Sequence, residues 1–256
     1  MRPIPNTIFI GKVLHHLDRV DSTNAYLQYL IAASADRLTE GLTVFADEQF
    51  AGKGQMGAGW VSEPGKNIIA SILLYPKFLL PKQIFYLNKA IAVAVCDFLK
   101  SYSDNIKIKW PNDIYFENKK MAGILIENSL STNAVEQSII GMGININQEI
   151  FDTALLNPTS LRAITHKNYD LELLFHALCA EIEKQYLLLR SFQFKKIDDL
   201  YHESLFGLNE EKIFTQGDET FTGIIRGVNE YGKLIVEKEE GLFEFGAKEV
   251  RIFSIG

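Results

Sequence analysis

Apolar residues recur at helical spacing at Ala25, Leu27, Leu30 and Ile31, directly behind the polar quartet Asp21-Ser22-Thr23-Asn24. Side chains of these types cap helix N-termini, so a helix is predicted to start there. Short apolar runs at 42–46 and 67–75 predict strands. Behind Pro81, residues 82–100 carry Ile84, Phe85, Leu87, Ile91, Val95, Phe98 and Leu99, which cover most of a helical circumference and predict a buried central helix. Ile106-Lys107-Ile108-Lys109-Trp110 alternates strictly, so Lys107 and Lys109 share one face of a strand and the apolar side chains the other. Further strands are predicted at 113–116, 121–127 and 138–144, and the short turns between them favour antiparallel neighbours.

Leu171, Leu174, Phe175, Leu178, Ile182 and Tyr186 mark an amphipathic helix capped by Asp170, and a second helix is predicted over 194–205. After Gly207 the texture changes to short strands at 212–215, 221–228, 233–236 and 242–245, separated by glycine and acidic turns. The pattern is α+β: a mixed, largely antiparallel sheet with packed helices over residues 1–206, and a small β-barrel over 207–256.

Composition narrows the class. The 256 residues are 47% hydrophobic and 23% charged, with a mean hydropathy of +0.01. Such a chain can bury a large core without metal or disulfide staples. Cys96 and Cys179 stand far apart in apolar surroundings, which suits two buried thiols in a reducing cytosol and supplies no CxxC pair. A net charge of −6 argues against a large nucleic-acid footprint, and residues 207–256, with six Lys and Arg against ten Asp and Glu, carry −4 of it. The opening Met-Arg-Pro-Ile-Pro-Asn carries no secretory apolar run, and the stretch 90–96 is too short to span a bilayer, so the expected location is the cytoplasm, with no membrane partner.

The most unusual stretch is the glycine-rich loop 49–65. Gly52-Lys53-Gly54-Gln55-Met56-Gly57 satisfies GxGxxG, yet Gly59, Trp60, Pro64 and Gly65 discourage the helix a dinucleotide site needs, and the region about 20 residues on holds Lys77 and no acid. No Gly-Lys-Ser/Thr closes a Walker loop. Read alone, the loop is either a surface loop or a glycine-lined approach to an anion, with Lys53 as cation and Trp60 as a cover for a flat ring. Lys109-Trp110-Pro111-Asn112-Asp113 breaks a strand and then offers an amide and a carboxylate. Lys120 by itself reads as a solvated turn lysine ahead of an apolar strand. Gly141-Met142-Gly143-Ile144-Asn145-Ile146-Asn147 puts glycines in a strand, where either a bulge or a close approach accounts for them. His15-His16, His166, His176 and His202 form no zinc pattern, and no Gly-x-Ser-x-Gly elbow or Cys/His nucleophile pair occurs. An enzyme built this way would take its nucleophile from its substrates.

Together these segments resemble the biotin protein ligases. The likeness rests on Asp21-Ser22-Thr23-Asn24, on Gln49 with Ala51-Gly52-Lys53-Gly54-Gln55-Met56-Gly57 and Trp60, on Lys109-Trp110-Pro111-Asn112-Asp113, on Lys120-Met121-Ala122-Gly123-Ile124-Leu125, and on Gly141-Met142-Gly143-Ile144-Asn145. Their order and spacing follow the family over essentially the whole chain. The resemblance implies a class II synthetase/biotin ligase-like catalytic domain with a C-terminal SH3-like β-barrel, ATP and biotin as substrates, Mg2+ with the ATP, and biotin carboxyl carrier protein or a carboxylase biotin domain as partner. It leaves a homodimer open. Biotin would be held by Ser22, Thr23, Asn24, Gln49, Gly52, Lys53 and Lys120, with Gly123, Gly141 and Gly143 lining its pocket. ATP would be held by Lys53, Gln55, Met56, Trp60, Lys109, Asn112, Asp113, Lys120 and Asn145. Lys120 and Lys53 would be catalytic, Lys120 bridging the biotin carboxylate and the α-phosphate; the metal ligands are not implied.

Two departures stand out. The family loop is often written with arginines where this chain has Lys53, Gln55, Met56 and Ala58, and lysine lacks the planar fork that grips phosphate bidentately. Only about 20 residues precede Ser22, too few for the winged helix-turn-helix of the repressor members, so DNA binding is not expected. A lipoate or octanoyl ligase, or a non-catalytic biotin-binding protein, are the alternative readings.

Overall fold

The computed structural model describes residues 6–54, 59–153, 155 and 157–253. The strands of its main sheet are β1 (Leu14–Val20), β2 (Thr43–Gln49), β3 (Ile68–Leu74), β4 (Ile106–Lys109), β5 (Asp113–Phe116), β6 (Lys119–Leu130) and β7 (Val135–Ile144). They lie in the order β1-β2-β3-β7-β6-β5-β4. The β1–β2 pair is parallel and every other pair antiparallel. The helices are α1 (Thr23–Ala33), α2 (Ile84–Lys100), α3 (Leu161–Thr165), α4 (Leu171–Arg190) and α5 (Phe194–Glu203).

β3 is buried at every residue, and its alternation separates two environments. Ile68, Ala70, Ile72 and Leu74 join the large core with α2 and α4. Leu73 points the other way, into a smaller cluster with Leu27 of α1, Leu42, Val44 and Ile139. Ile69 and Ser71 share the α1 face, because side chains two apart on a strand point the same way. The open part of that face is where the site lies.

The predicted elements occur with shifted ends. The central helix begins with a 3-10 turn, Pro81–Gln83, before α2, the strand expected at 121–127 runs as the longer β6, and α5 stops at Glu203. Asp170 caps α4, accepting from the Glu172 and Leu173 N–H groups at 2.9 and 3.1 Å. Ser22 occupies the N-cap of α1 but makes no capping bond with its side chain, which leaves its hydroxyl for other use. β1 was not anticipated: His15 and His16 interrupt its apolar pattern, and it is identified by pairing with β2 rather than by periodicity. Cys96 and Cys179 are buried free thiols, and burial pushes Cys96 up to about 11.

Residues beyond Gly207 form β8 (Glu211–Gln216), β9 (Glu219–Val228), β10 (Leu234–Lys238), β11 (Gly241–Phe245) and β12 (Arg251–Ile252), an antiparallel sheet in the order β11-β10-β9-β8-β12. Phe214, Phe221 and Phe245 stack along it, with centroids 5.2 and 5.7 Å apart. The Ile108 N–H donates to Ser204 O at 2.7 Å and the Phe206 N–H to Ile108 O at 2.8 Å. The connection to the C-terminal sheet therefore covers the free edge of β4, which would otherwise invite pairing.

Candidate active site

The sheet register assembles one row of residues across its strands. Lys109 faces Asp113, Asp113 faces Gly123, Gly123 faces Gly143, and Gly143 faces Ile69. The next row pairs Leu125 with Gly141 and Gly141 with Ser71. Three glycines thus meet side by side on the α1 face, and their missing side chains leave a depression beside the helix. A cavity of about 320 Å³ opens there, lined by the start of α1, the end of β2, the glycine loop, the Trp110–Asp113 turn, Lys120 and the C-terminal sheet.

Lys120 reaches it through a bulge. Lys120 and Gly123 are an odd number of residues apart, which would place them on opposite faces of a regular strand. The register between β5 and β6 slips beside Ile114 and Tyr115, so that Tyr115 faces Lys120 while Ile114 faces Ala122. The extra residue turns Met121 into the core, at 0% exposure, and brings Lys120 onto the face of Asp113. Its ammonium donates to Asp113 Oδ2 at 2.7 Å. Pairing with residues 157–159 through Lys120 N–H to Asn157 O and Thr159 N–H to Lys120 O steadies its backbone.

Near α1 the polar side chains that line the cavity are neutral, and Thr23, Asn24 and Gln49 are held by one another, by Ser71 and by the Glu127 carboxylate behind them. Gln49 Oε1 accepts from the Thr23 N–H at 2.9 Å. Ser71 Oγ lies 2.6 Å from both Thr23 Oγ1 and Asn24 Oδ1, and Asn24 Nδ2 donates to Glu127 Oε2 at 2.6 Å. The carboxylate fixes the Asn24 amide with its oxygen toward Ser71. That oxygen can only accept, so the single Ser71 proton goes to Asn24 and the Thr23 hydroxyl donates to Ser71. A Cβ on Gly141 would lie 2.4 Å from Asn24 Oδ1, so this glycine makes room for the Asn24 amide.

Trp60 lies across the other two glycines. A Cβ on Gly143 would sit 2.2 Å from its ring and one on Gly123 3.2 Å from it. The indole Nε1 is buried with no hydrogen-bond partner in the described structure. The loop is pinched beneath it, with Lys53 bridging to Gly59 and the Trp60 N–H donating to Gly52 O at 2.9 Å.

Of the residues expected at the site, Ser22, Thr23, Asn24, Gln49, Lys53 and Trp60 line the cavity, as do Asn112, Asp113, Lys120, Gly123, Gly141 and Gly143. Gly52 lies behind, where a Cβ would meet Gln49 Nε2 and Trp60 O at 2.4 Å. Lys109 and Asn145 flank the cavity without lining it. Burial lowers the Lys109 pKa, with Asp113 opposing the shift and Lys120 adding to it. Asn145 Nδ2 donates to Thr159 O at 3.0 Å and its N–H to Met121 O at 2.9 Å, fastening the segment beside Lys120. Asn112 is buried and its Nδ2 donates to Ile124 O. Gln55 and Met56 lie outside the described residues. Ala247 and Arg251 also line the cavity and went unnoticed in the sequence, where no local pattern marks them within an acidic segment.

The charge around the cavity inverts that of the chain. Among the described lining residues Lys53, Lys120 and Arg251 are cationic and Asp113 alone is anionic. Such a wall suits a ligand with several negative charges. Among the described residues no group of three or more His, Cys, Asp or Glu is placed to hold a metal ion.

Comparison with known proteins places the fold and the sequence in one family. Residues 17–145 match the Biotin/lipoate A/B protein ligase family, and residues 207–255 match the Biotin protein ligase C terminal domain. The chain belongs to the biotin protein ligase family. It is 30% identical over 254 residues to the bifunctional ligase/repressor BirA of Bacillus spizizenii, covering 96% of this chain and 76% of that one. It is 30% identical over 240 residues to the biotin--[acetyl-CoA-carboxylase] ligase of Paracoccus denitrificans, covering 91% and 98%. A solved structure of the Aquifex aeolicus biotin protein ligase in complex with biotin and ATP superposes with a TM-score of 0.77 at 28% identity, covering 94% of this ligase and 99% of that chain.

Proposed function

We propose that the protein activates biotin with ATP to biotinyl-5'-AMP and transfers the biotin to a lysine of a biotin carboxyl carrier protein or carboxylase biotin domain. The observation that carries this reading is the division of the cavity into a neutral hydrogen-bonding part beside α1 and a cationic part around Lys120, Lys53 and Arg251. A ureido head group offers one acceptor and two donors without charge, which suits Ser22, Thr23, Asn24 and Gln49. The glycine floor suits the fused rings and aliphatic chain, and Trp60, expected on the nucleotide side, lies across two of those glycines and so borders both parts.

In the first step the biotin carboxylate attacks the α-phosphorus, the P–O bond to the β-phosphate breaks, and pyrophosphate leaves. In the second the uncharged amine of the acceptor lysine attacks the mixed anhydride, an amide forms and AMP leaves. Both nucleophiles come from substrates, so the protein's work is alignment and neutralisation of charge. Lys120 offsets the repulsion between carboxylate and phosphate, and Asp113, at 2.7 Å, holds its ammonium in place. Lys53 serves the phosphates from the glycine loop, and Asn112 and Asp113 serve the nucleotide side. Mg2+ bound with the ATP would neutralise phosphate charge, and among the described lining residues Asp113 is the carboxylate that would contribute to holding it, beside phosphate and water.

The family match to residues 207–255 supports a division near residue 206; the SH3-like barrel expected there corresponds to a five-stranded antiparallel sheet whose edge strands β11 and β12 do not pair among the described residues. No described helix is long and apolar enough to cross a membrane, and the acidic balance disfavours nucleic acid; a cytoplasmic location fits the reading. Incubation with ATP, Mg2+ and biotin should release pyrophosphate, and addition of a carboxylase biotin domain should yield biotinylated acceptor. Release with lipoate and none with biotin would overturn the assignment.

A further inference from the structure

One lysine of the buried helix α2 has no counterpart in the chemistry above. The Lys89 side chain is 1% exposed, and its ammonium has three N–H donors and three acceptors. They are the Asp198 carboxylate on α5, Val228 O at 3.0 Å at the end of β9, and Asn229 O at 3.3 Å at the start of the turn to β10. The rings of Phe85, Tyr86 and Tyr201 lie 5.7, 5.6 and 5.5 Å from Nζ. A buried charge is tolerated only when its donors are satisfied, and here two of the three acceptors belong to the C-terminal sheet.

The turn held by Lys89 is in turn a support for the cavity wall. Trp110 Nε1 donates to Gly232 O at 2.9 Å. Gly232 adopts φ +85°, and a Cβ there would lie 2.3 Å from the Phe85 ring, so backbone and helix are in direct contact. The Tyr201 hydroxyl donates to Pro111 O at 2.9 Å. Val228 N–H donates to His202 Nε2 at 2.9 Å, beside Asp198 on the same helix. Trp110 and Pro111 lead directly into Asn112 and Asp113, while Ala247 and Arg251 line the cavity from the sheet that the turn belongs to.

We propose that Lys89 is a positioning residue for the nucleotide side of the cavity. It seats the β9–β10 turn, and through Gly232 and Trp110 that turn sets Asn112 and Asp113. The proposal rests on the ligase reading, and the experiment separates the two. Wild-type protein is first assayed for biotin-dependent exchange of labelled pyrophosphate into ATP; no exchange there defeats the ligase reading, and the amide-exchange comparison then decides the coupling of Lys89 to Asn112, with unchanged exchange at Asn112 overturning it. Lys89→Met should then raise the KM for ATP about tenfold while the KM for biotin stays within about twofold, and Lys89→Arg should recover most of the loss. A role in stability alone would lower the active fraction and leave both KM values unchanged. Independently of activity, amide exchange should quicken at 228–233 and at Asn112 in Lys89→Met and remain unchanged in β2 and β3. Should that variant not fold, Asp198→Asn, at a carboxylate 36% exposed, should raise the KM for ATP about threefold. An unchanged KM for ATP in the folded variant, or equal rises for ATP and biotin, would overturn the proposal.

Discussion

Beside α1, the polar side chains of the cavity are neutral and bonded to one another; around Lys120 they are charged and come from stretches far apart in the chain. Thr23, Asn24, Gln49 and Ser71 stand on regular elements and orient each other through Glu127. Lys53, Lys120 and Arg251 come from a loop, a bulged strand and a two-residue strand of the C-terminal sheet. The difference follows from what each part must recognise. Hydrogen bonds discriminate by direction and need rigid supports, whereas charge acts over several ångströms and tolerates support from loops. The neutral part is thus expected to set which acid binds, and the cationic part how fast it is activated.

The comparison breaks first at Lys120. Lys120→Ala should lower pyrophosphate exchange by at least about 10³-fold with the fold intact by circular dichroism, since a fixed cation at the reacting phosphate is lost; near-normal exchange would refute its role. Next, Gly141→Ala drives a Cβ into the Asn24 amide, and should raise the KM for biotin about 30-fold while leaving that for ATP unchanged. Equal loss of both substrates would show that the two parts are not independent. Ser71→Ala leaves Asn24 Oδ1 without its donor at a site 0% exposed, and should weaken biotin binding about fivefold, on the order of 1 kcal/mol, in a calorimetric titration without ATP. The smallest effect concerns Lys53. Lys53→Arg restores a bidentate grip and should lengthen the lifetime of the bound adenylate about threefold in a filter-retention assay; an unchanged lifetime would count against phosphate contact from the loop.

Much of the site was legible because its signals are local. The glycines of Gly141-Met142-Gly143 sit in an apolar strand, and a strand gives up side chains for a reason. Asp21-Ser22-Thr23-Asn24 read as a helix start, though Ser22 turned out to make no capping bond with its side chain. Ser71 escaped notice, although a single hydroxyl in the otherwise apolar run 68–74 was available as a signal. Arg251 and Lys89 had none. One is a basic residue in an acidic module, the other a polar interruption in a helix apolar on most of its surface, and neither pattern indicates a partner.

By itself the sequence determined most of the elements though not β1, α3 or β12, the separate texture beyond residue 207 and the family, since periodicity, turn chemistry and motif spacing are carried by neighbouring residues. Only the tertiary structure decided which residues share the cavity. Lys120 reaches Asp113 because of one slip in strand register, Gly141 is small because Asn24 arrives from a helix more than a hundred residues earlier, and Lys89 carries its charge in the core because the end of β9 and the turn after it supply two carbonyl oxygens. Register and docking are properties of pairs of distant segments, and no single segment encodes them.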